Sequence, residues 1–157
     1  MLLMDNSSFE KSAAIIFYPD KIIIETRNKK DNYTWYSSGK LTIFPINASA
    51  GMLGEGIINH LNQSEIKGIE MKEMKELRNL FRKKGKFKSE KSTMEDAKYV
   101  SIYSDKNMIR FEPKKNKTSQ QLFYNMPESI SEFAVKNLDS IKIGKYARDS
   151  AAKCVFI

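Results

Sequence analysis

Two short apolar runs separated by a Pro-Asp pair constrain the fold of this chain more than any other feature. Residues 14–18 (AIIFY) and 22–24 (III) lie on either side of Pro19-Asp20. Proline presets the backbone of a tight turn, and aspartate can bond the backbone that follows it. Short apolar runs bounded by such a turn are typical of a hairpin. The segment from Ala13 to Thr26 is therefore predicted to be a β-hairpin.

Further strands are predicted by the same pattern of short apolar runs and turn residues. Pro45 cannot donate a hydrogen bond to a sheet, so it should end or edge its strand. The predicted strands are the two arms of a second hairpin (33–36 and 41–44, around 37–40), a third pair (99–103 and 108–111, around 104–107) and a short edge strand (122–124). Residues 114–119 are predicted to be a charged loop.

Three helices are predicted from apolar residues at helical spacing. The first opens near Ser49, and the second runs from Ile69 to Lys84. The third follows Pro127 and carries Ile130, Phe133, Ala134, Leu138 and Ile141 on one side. Glycines 51, 54 and 56 lower the helix propensity of the first helix, which indicates that another backbone lies close to it.

The strand groups and helices do not alternate as βαβ units. The prediction is one α+β domain over residues 1–157, with a mainly antiparallel sheet and about three helices packed on one of its faces. An alignment at an offset of 77 places Leu53-Gly54-Glu55 on Ile130-Ser131-Glu132. This match raises a second hypothesis, an internal duplication of a strand–helix unit.

Composition excludes several classes of protein. One cysteine and one histidine rule out a disulfide framework and Cys-based zinc sites, and no apolar run approaches the ~20 residues of a membrane span. Residues 51–56 match no phosphate-binding loop, so no cofactor is expected. No metal is expected either, because the chain has one histidine, one cysteine and no acidic run with Ca²⁺-loop spacing. His60 is interpreted as a partly exposed helical histidine and Cys154 as a small buried hydrophobe. A reducing cytoplasm is the expected setting.

The formal net charge of +8 is the one feature of composition that asks for an explanation. Much of the excess lies in residues 82–91, where Phe81 and Phe87 are interleaved with lysines, and Lys114, Lys115 and Lys117 form a second patch. Such a cluster could bind a phosphate backbone or could be a solvated surface. No signature of a known nucleic-acid module accompanies it, which favours the solvated surface.

Several side chains are candidates for contact with a protein partner. Glutamates one turn apart on a helix form small acidic patches, and an aromatic side chain can anchor an interface. The candidates are Glu70 and Glu73 on the second helix, Glu128 and Glu132 on the third, Lys83 and Lys86 in the basic cluster, and Trp35.

One stretch of the chain resembles a known family. Pro45, then Leu53-Gly54-Glu55, Ile57-Ile58, Leu61 and Ser64, then Met94, Ala97 to Ile102 and Pro113 are similar to the immunity proteins of bacterial contact-dependent growth inhibition systems, CdiI. The resemblance covers residues 40–114, and the N-terminal hairpin more loosely. The motifs concern packing. They identify no chemical group.

The resemblance implies a protein that is not an enzyme. Such a protein binds and blocks the C-terminal toxin domain of its own cell's CdiA, often a nuclease that acts in the cytoplasm. Two alternatives stay open from the residues alone. One is a nucleic-acid-binding accessory protein that uses Arg82 to Lys91, and the other is an enzyme built on scattered carboxylates.

Overall fold

The computed structural model describes residues 6–157, and in this part of the chain it contains eight strands and three helices. The strands are β1 (Lys11–Phe17), β2 (Lys21–Lys29), β3 (Trp35–Pro45), β4 (Lys98–Ser104), β5 (Met108–Lys117), β6 (Leu122–Asn125), β7 (Ser131–Ala134) and β8 (Val155–Phe156). The helices are α1 (Ala50–Asn62), α2 (Met71–Lys84) and α3 (Ser140–Ala151). The α+β class is confirmed.

All the strands described belong to one sheet, in which β5 pairs with each of the last three strands. The main path runs β3-β2-β1-β4-β5-β6, and β7 and β8 also pair with β5. Every pairing is antiparallel except that of β8 with β5. The first hairpin forms as predicted, with Phe17 opposite Ile22. The 99–103 and 108–111 strands and the 122–124 edge strand are also confirmed.

Helices α1 and α3 pack side by side on one face of the sheet and bury the larger core. Ile15, Ile24 and Phe111 reach this core from the sheet, and Leu53 and Ile57 reach it from α1. Helix α1 begins where the sequence predicts, because the Ser49 hydroxyl accepts a hydrogen bond from the Met52 amide at 3.2 Å.

Helix α2 covers the opposite face, so the prediction that the helices share one face is wrong. Its Phe81 is buried in a second core with Ile16, Tyr18 and Ile23. In β1 and β2, consecutive residues such as Ile15 and Ile16 are both buried, which means that apolar side chains leave these strands on both faces. A sheet with two apolar faces needs cover on both.

The second predicted hairpin is wrong, because residues 35–45 form the single strand β3. The register between β2 and β3 shifts between Glu25 and Arg27, where Gly39 has φ +82°. Glycine adopts this left-handed conformation without steric cost, so the strand absorbs an irregularity there without turning back. A Cβ atom at Gly39 would lie 2.8 Å from Leu80 Cδ2, which shows how closely α2 covers this point.

The third helix begins ten residues later than predicted. Residues 127–129 form a 3-10 turn, and residues 131–134 form β7, which pairs with β5. The helix starts only at Ser140, where the Asp139 carboxylate accepts a hydrogen bond from the Lys142 amide at 2.8 Å. Ile130 therefore does not occupy a helical position. The alignment at an offset of 77, which placed Leu53 on Ile130, is wrong for the helical half of the proposed duplication.

The structure shows a different internal correspondence, at the crossing of α1 and α3. A Cβ atom at Gly54 would lie 1.7 Å from the Ser140 carbonyl oxygen, and one at Gly144 would lie 1.8 Å from the Ala50 carbonyl oxygen. Each helix thus places a glycine against the first turn of the other. The prediction that a backbone lies close to the glycines of the first helix is confirmed at Gly54.

The predicted charged loop at residues 114–119 is mostly strand. Lys114 to Lys117 form the second half of β5 and pair with β6. Lys114 is buried and contacts Glu112 at 3.3 Å, so the second basic patch is not an exposed group of lysines. Cys154 packs against the larger core as expected, and burial raises the pKa of its thiol.

Candidate functional site

The sheet face beneath α2 carries a patch of polar and charged side chains, which we call the polar face. Strand register places its members in rows: Ala14 pairs with Glu25 and with Ser101, and Ser101 pairs with Glu112. Side chains on paired residues leave a sheet on the same side. The polar face comprises Glu25, Arg27, Ser101, Tyr103, Arg110 and Glu112.

Glu25 is the most unusual member of the polar face. Glu25 is 3% exposed, and no group in residues 6–157 donates a hydrogen bond to its Oε1 atom. Burial raises the pKa of this carboxyl group, against the lowering effects of the Ser37 hydroxyl and the Arg27 charge. Sequence analysis missed Glu25, although an acid directly after the run Ile22-Ile23-Ile24 and in phase with Ile23 is an available signal.

A cavity of about 140 Å³ lies between the polar face and α2, and Glu25 lines it. Aromatic rings form much of its wall. They belong to Tyr18, Phe81, Tyr99 and Phe123. The cavity differs from the apolar interior because it combines these rings with a buried carboxyl group.

Charged residues at the mouth of this cavity tie α2 to the segment that follows it. Arg78 and Arg82 of α2 and Glu90 of the following segment line the cavity. The Arg78 guanidinium lies 3.9 Å from the Glu90 carboxylate, and both side chains are more than half exposed. Arg82 donates a hydrogen bond to the Phe87 carbonyl at 3.4 Å. Water screens these contacts, so they contribute little to stability.

A buried ion network occupies the other end of the polar face. The Arg110 guanidinium lies 3.6 Å from Glu112 and 3.2 Å from Glu132, and it donates a hydrogen bond to Asn6 at 2.7 Å. Lys114 also contacts Glu112. Because an isolated buried charge is costly, these groups depend on one another. The network links β5 to β7 through Glu132 and to the segment before β1 through Asn6.

His60 is buried, so the interpretation as a partly exposed histidine is wrong. Its ring lies between two hydroxyls, with Nδ1 2.8 Å from Thr26 Oγ1 and Nε2 2.9 Å from Thr42 Oγ1. The Thr26 hydroxyl donates its proton to the His60 carbonyl, so Nδ1 must donate to Thr26 and Nε2 must accept from Thr42. Burial lowers the pKa of this neutral imidazole to about 4.

The predicted acidic contact residues do not form two helical pairs. Glu70 occupies the N-cap position of α2 without a capping hydrogen bond from its side chain, and Glu73 lies in the first turn, so both are at the start of the second helix. Glu128 lies in the 3-10 turn and Glu132 in β7, because the third helix begins only at Ser140. Glu132 is already bound to Arg110. Three of the four acids are therefore at the surface without being used by that network.

Trp35 is half-buried at the edge of the polar face. Its ring meets Tyr103 edge-on at a centroid distance of 5.5 Å, and the Lys29 ammonium lies 5.5 Å from the ring centre. These contacts fix the indole in the sheet, so only part of it is available to a partner.

The basic cluster is at the surface, but its aromatic residues are not. Lys83, Lys86 and Lys88 are exposed. Phe81 and Phe87 stack on each other with 12° between their planes and pack in the second core. Bases bind proteins by stacking on accessible rings. These two rings therefore do not form an accessible stacking platform, and the cluster presents exposed lysines at the surface.

Residues 6–157 lack two further features. This part of the chain contains no group of three or more His, Cys, Asp or Glu side chains placed to hold a metal ion. Nor does it contain a helix that is long and apolar enough to cross a bilayer.

Comparison with solved structures identifies the fold. A protein of unknown function from Neisseria meningitidis superposes with a TM-score of 0.74 and 11% identity, covering 92% of this chain and 94% of that one. A chain of the CdiA-CT/CdiI toxin and immunity complex from Yersinia pseudotuberculosis superposes with a TM-score of 0.77 and 16% identity, covering 92% of this chain and 97% of that one. This chain therefore has the same α+β fold as those two proteins. No curated protein sequence matches it significantly.

A family comparison goes further than the fold. The profile of the CDI immunity protein family, CdiI, matches residues 11–154. The match runs from the first residue of β1 to the residue before β8 and so takes in both cores and the polar face. The chain belongs to the CdiI family of immunity proteins. The resemblance found in the sequence is confirmed.

Proposed function

We propose that this protein binds the toxin domain at the C-terminus of its cognate CdiA and neutralises it by forming a tight complex. The toxin is a nuclease, and the complex forms in the cytoplasm. One observation carries the proposal: the CdiI profile matches nearly the whole domain, residues 11–154. The immunity protein acts by binding and catalyses no reaction.

The two side chains most suited to nucleophilic catalysis support a binding role. His60 has both ring nitrogens engaged by threonine hydroxyls, and burial keeps it neutral. A general base must reach the proton that it abstracts, and both nitrogens of this imidazole are already hydrogen-bonded within the protein. Cys154 has a raised thiol pKa, which lowers its thiolate fraction and its reactivity.

The contact surface is proposed to include the exposed acids at the start of α2. A nuclease needs a basic surface for its substrate, and local negative charge is one way for a protein of net charge +8 to approach it. Glu70 and Glu73 supply such charge, and they lie at the opposite end of α2 from Lys83. Glu128, Glu132, Lys83, Lys86 and Trp35 complete the proposed contact set.

Co-expression tests the proposal. The toxin domain encoded immediately upstream is expressed alone, with this protein, and with an unrelated CdiI protein as the matched control. Growth should be restored by this protein only, and the two chains should co-purify in a 1:1 complex. Loss of growth in every case, or failure of the two chains to associate, would contradict the proposed function.

The nuclease assignment has a separate readout. Purified toxin domain is incubated with RNA and with DNA, and an equimolar amount of the immunity protein should stop the degradation. If neither nucleic acid is cleaved while growth is still inhibited and rescued, the toxin has another activity and only the binding role stands.

A further inference from the structure

The Oε1 atom of the buried Glu25 carboxyl lacks a hydrogen-bond donor, although the Ser37 hydroxyl and the Arg27 charge act on the carboxyl group. The Tyr18 hydroxyl donates to the Thr93 carbonyl at 2.6 Å. The Arg27 guanidinium is directed to Ser101 at 3.2 Å. Leaving a buried acceptor without a donor costs free energy, and such groups are rare in folded proteins. The unpaired oxygen is buried in the free protein, but Glu25 lines a cavity, so a donor that enters the cavity can meet this oxygen once the side chain turns toward it.

The walls of the cavity favour a positively charged donor on an apolar stem. The faces of aromatic rings attract cations, and Tyr18, Phe81, Tyr99 and Phe123 supply such rings. The volume of about 140 Å³ exceeds several times the ~30 Å³ that one water molecule occupies in the liquid. Lysine and arginine bury their carbon stems against apolar surface while the charged head reaches a polar group.

We propose that this cavity receives a lysine or arginine side chain of the toxin domain, whose charged head binds the Glu25 carboxylate. The inference rests on the proposed function, because it assigns a partner to the cavity. A nuclease has many such side chains, since its surface must attract a polyanion. The cavity gives the immunity protein a way to select one of them.

The charges around Glu25 explain why the cavity is selective. Arg27 on the same strand and Arg78 and Arg82 from α2 are cations that already face this region. The two helix arginines are engaged at the mouth by Glu90 and by the Phe87 carbonyl. Burial raises the pKa of Tyr18 and of Tyr99, so both rings stay neutral at ordinary pH. Burial raises the pKa of the Glu25 carboxyl in the free protein, so a cation that enters the cavity would pair with it by stabilising its ionised form.

The variant Glu25→Gln tests the inference, because glutamine keeps the size of the side chain and removes the carboxylate. Glu55→Gln, at an exposed position of α1, is the matched control. The dissociation constant for the toxin domain is measured by calorimetry at pH 7.5. We expect a roughly 10- to 100-fold loss of affinity for Glu25→Gln, as for other buried interfacial charge pairs, and none for Glu55→Gln.

Two further measurements separate a role in binding from a role in folding. Thermal unfolding of the free Glu25→Gln variant should show a Tm no lower than that of the wild type, since the change removes a buried ionisable group. Asn79→Trp, at an exposed residue of α2 that lines the cavity, should also weaken toxin binding, because it obstructs the mouth without touching the carboxyl.

The outcomes distinguish this inference from the proposed function. If the wild type does not bind the toxin domain, the proposed function fails and the partner assigned to the cavity fails with it. If the wild type binds and both Glu25→Gln and Asn79→Trp bind within twofold of it, the cavity inference alone is overturned. Loss of affinity in both variants, with Glu55→Gln unchanged, supports it.

Discussion

His60 makes the folding stability of the domain depend on pH. Burial lowers its pKa from the ordinary histidine value of 6.5 to about 4 in the folded protein. Between these values the unfolded chain binds a proton that the folded protein does not. The stability that His60 contributes is therefore fully present above pH 6.5 and is lost as the pH falls toward 4.

The variant His60→Gln should remove this part of the pH dependence. We expect the wild type to lose roughly 3 kcal/mol of stability between pH 7 and pH 4 through this group, and the variant to lose none of that amount. Urea unfolding of both proteins at several pH values measures the difference. His60 is the single histidine of the chain, so equal pH slopes between 6.5 and 4.5 would contradict the assignment.

Sequence reasoning located His60 on the first helix but not its environment. The residue type and its helical position were predictable from the periodicity of Leu53, Ile57 and Leu61. Its burial depends on Thr26 and Thr42, which come from two strands that the sequence does not place beside α1. Glu25 was missed for a related reason: its burial is caused by α2 crossing the second face of the sheet.

At the scale of the elements, the crossing of α1 and α3 is the tightest contact in the described part of the fold. Gly54 faces the Ser140 carbonyl and Gly144 faces the Ala50 carbonyl, at distances that exclude a Cβ atom. Alanine favours a helix over glycine by up to ~1 kcal/mol, so glycine at these two helical positions is explained by the lack of space for a methyl group.

Gly54→Ala should destabilise the protein by about 2–3 kcal/mol, because the helices must move apart to admit the methyl group. Gly51→Ala on the same helix is the control. Its Cβ atom would lie 3.6 Å from Ile141 Cγ1, an ordinary contact, so stability should stay equal or rise by up to ~1 kcal/mol. Chemical denaturation of both variants decides the matter. If both substitutions change the free energy of unfolding by the same amount, the close approach of α1 and α3 at Gly54 is contradicted.

The errors in predicting elements have two physical causes. Helix α3 was placed too early because four of its five buried residues are small and give a weak hydrophobic pattern: Gly144, Ala147, Ser150 and Ala151, beside Ile143. The apolar residues from Ile130 to Leu138 gave a stronger one. Strand β3 was split into a hairpin because the stretch Ser37-Ser38-Gly39-Lys40 has turn composition. Tertiary pairing with β2 overrides that local preference.

At the scale of the whole molecule, the net charge of +8 governs how fast a basic partner can approach. The start of helix α2 carries a small negative excess, because Glu70, Glu73 and Glu76 alternate with Lys72 and Lys75, whereas its last turn and the residues beyond it are basic, with Lys83 and Lys86 among them. Charges at the surface act mainly on the association rate and are screened by salt.

Two double variants of α2 and its flanks should change the association rate in opposite directions. Glu70→Lys/Glu73→Lys should slow binding of a basic toxin domain by up to roughly tenfold at low salt, and Lys83→Glu/Lys86→Glu should accelerate it by a similar factor. Stopped-flow measurements at 50 mM and 500 mM salt test this, with both effects diminishing at high salt. Changes in the same direction would show that charge steering by α2 does not operate.

The pairing of β1 with β4 and the glycine crossing have a consequence for how the chain is made. Lys11 pairs with Ser104, and Ala50 contacts Gly144, so both layers of the domain close over separations of more than ninety residues. Contacts this distant form slowly and late in folding. A chain emerging from the ribosome cannot complete its larger core until α3 has been synthesised. A molecule interrupted before α3 would therefore lack one wall of its larger core, the one that includes Ile143 and Ala147.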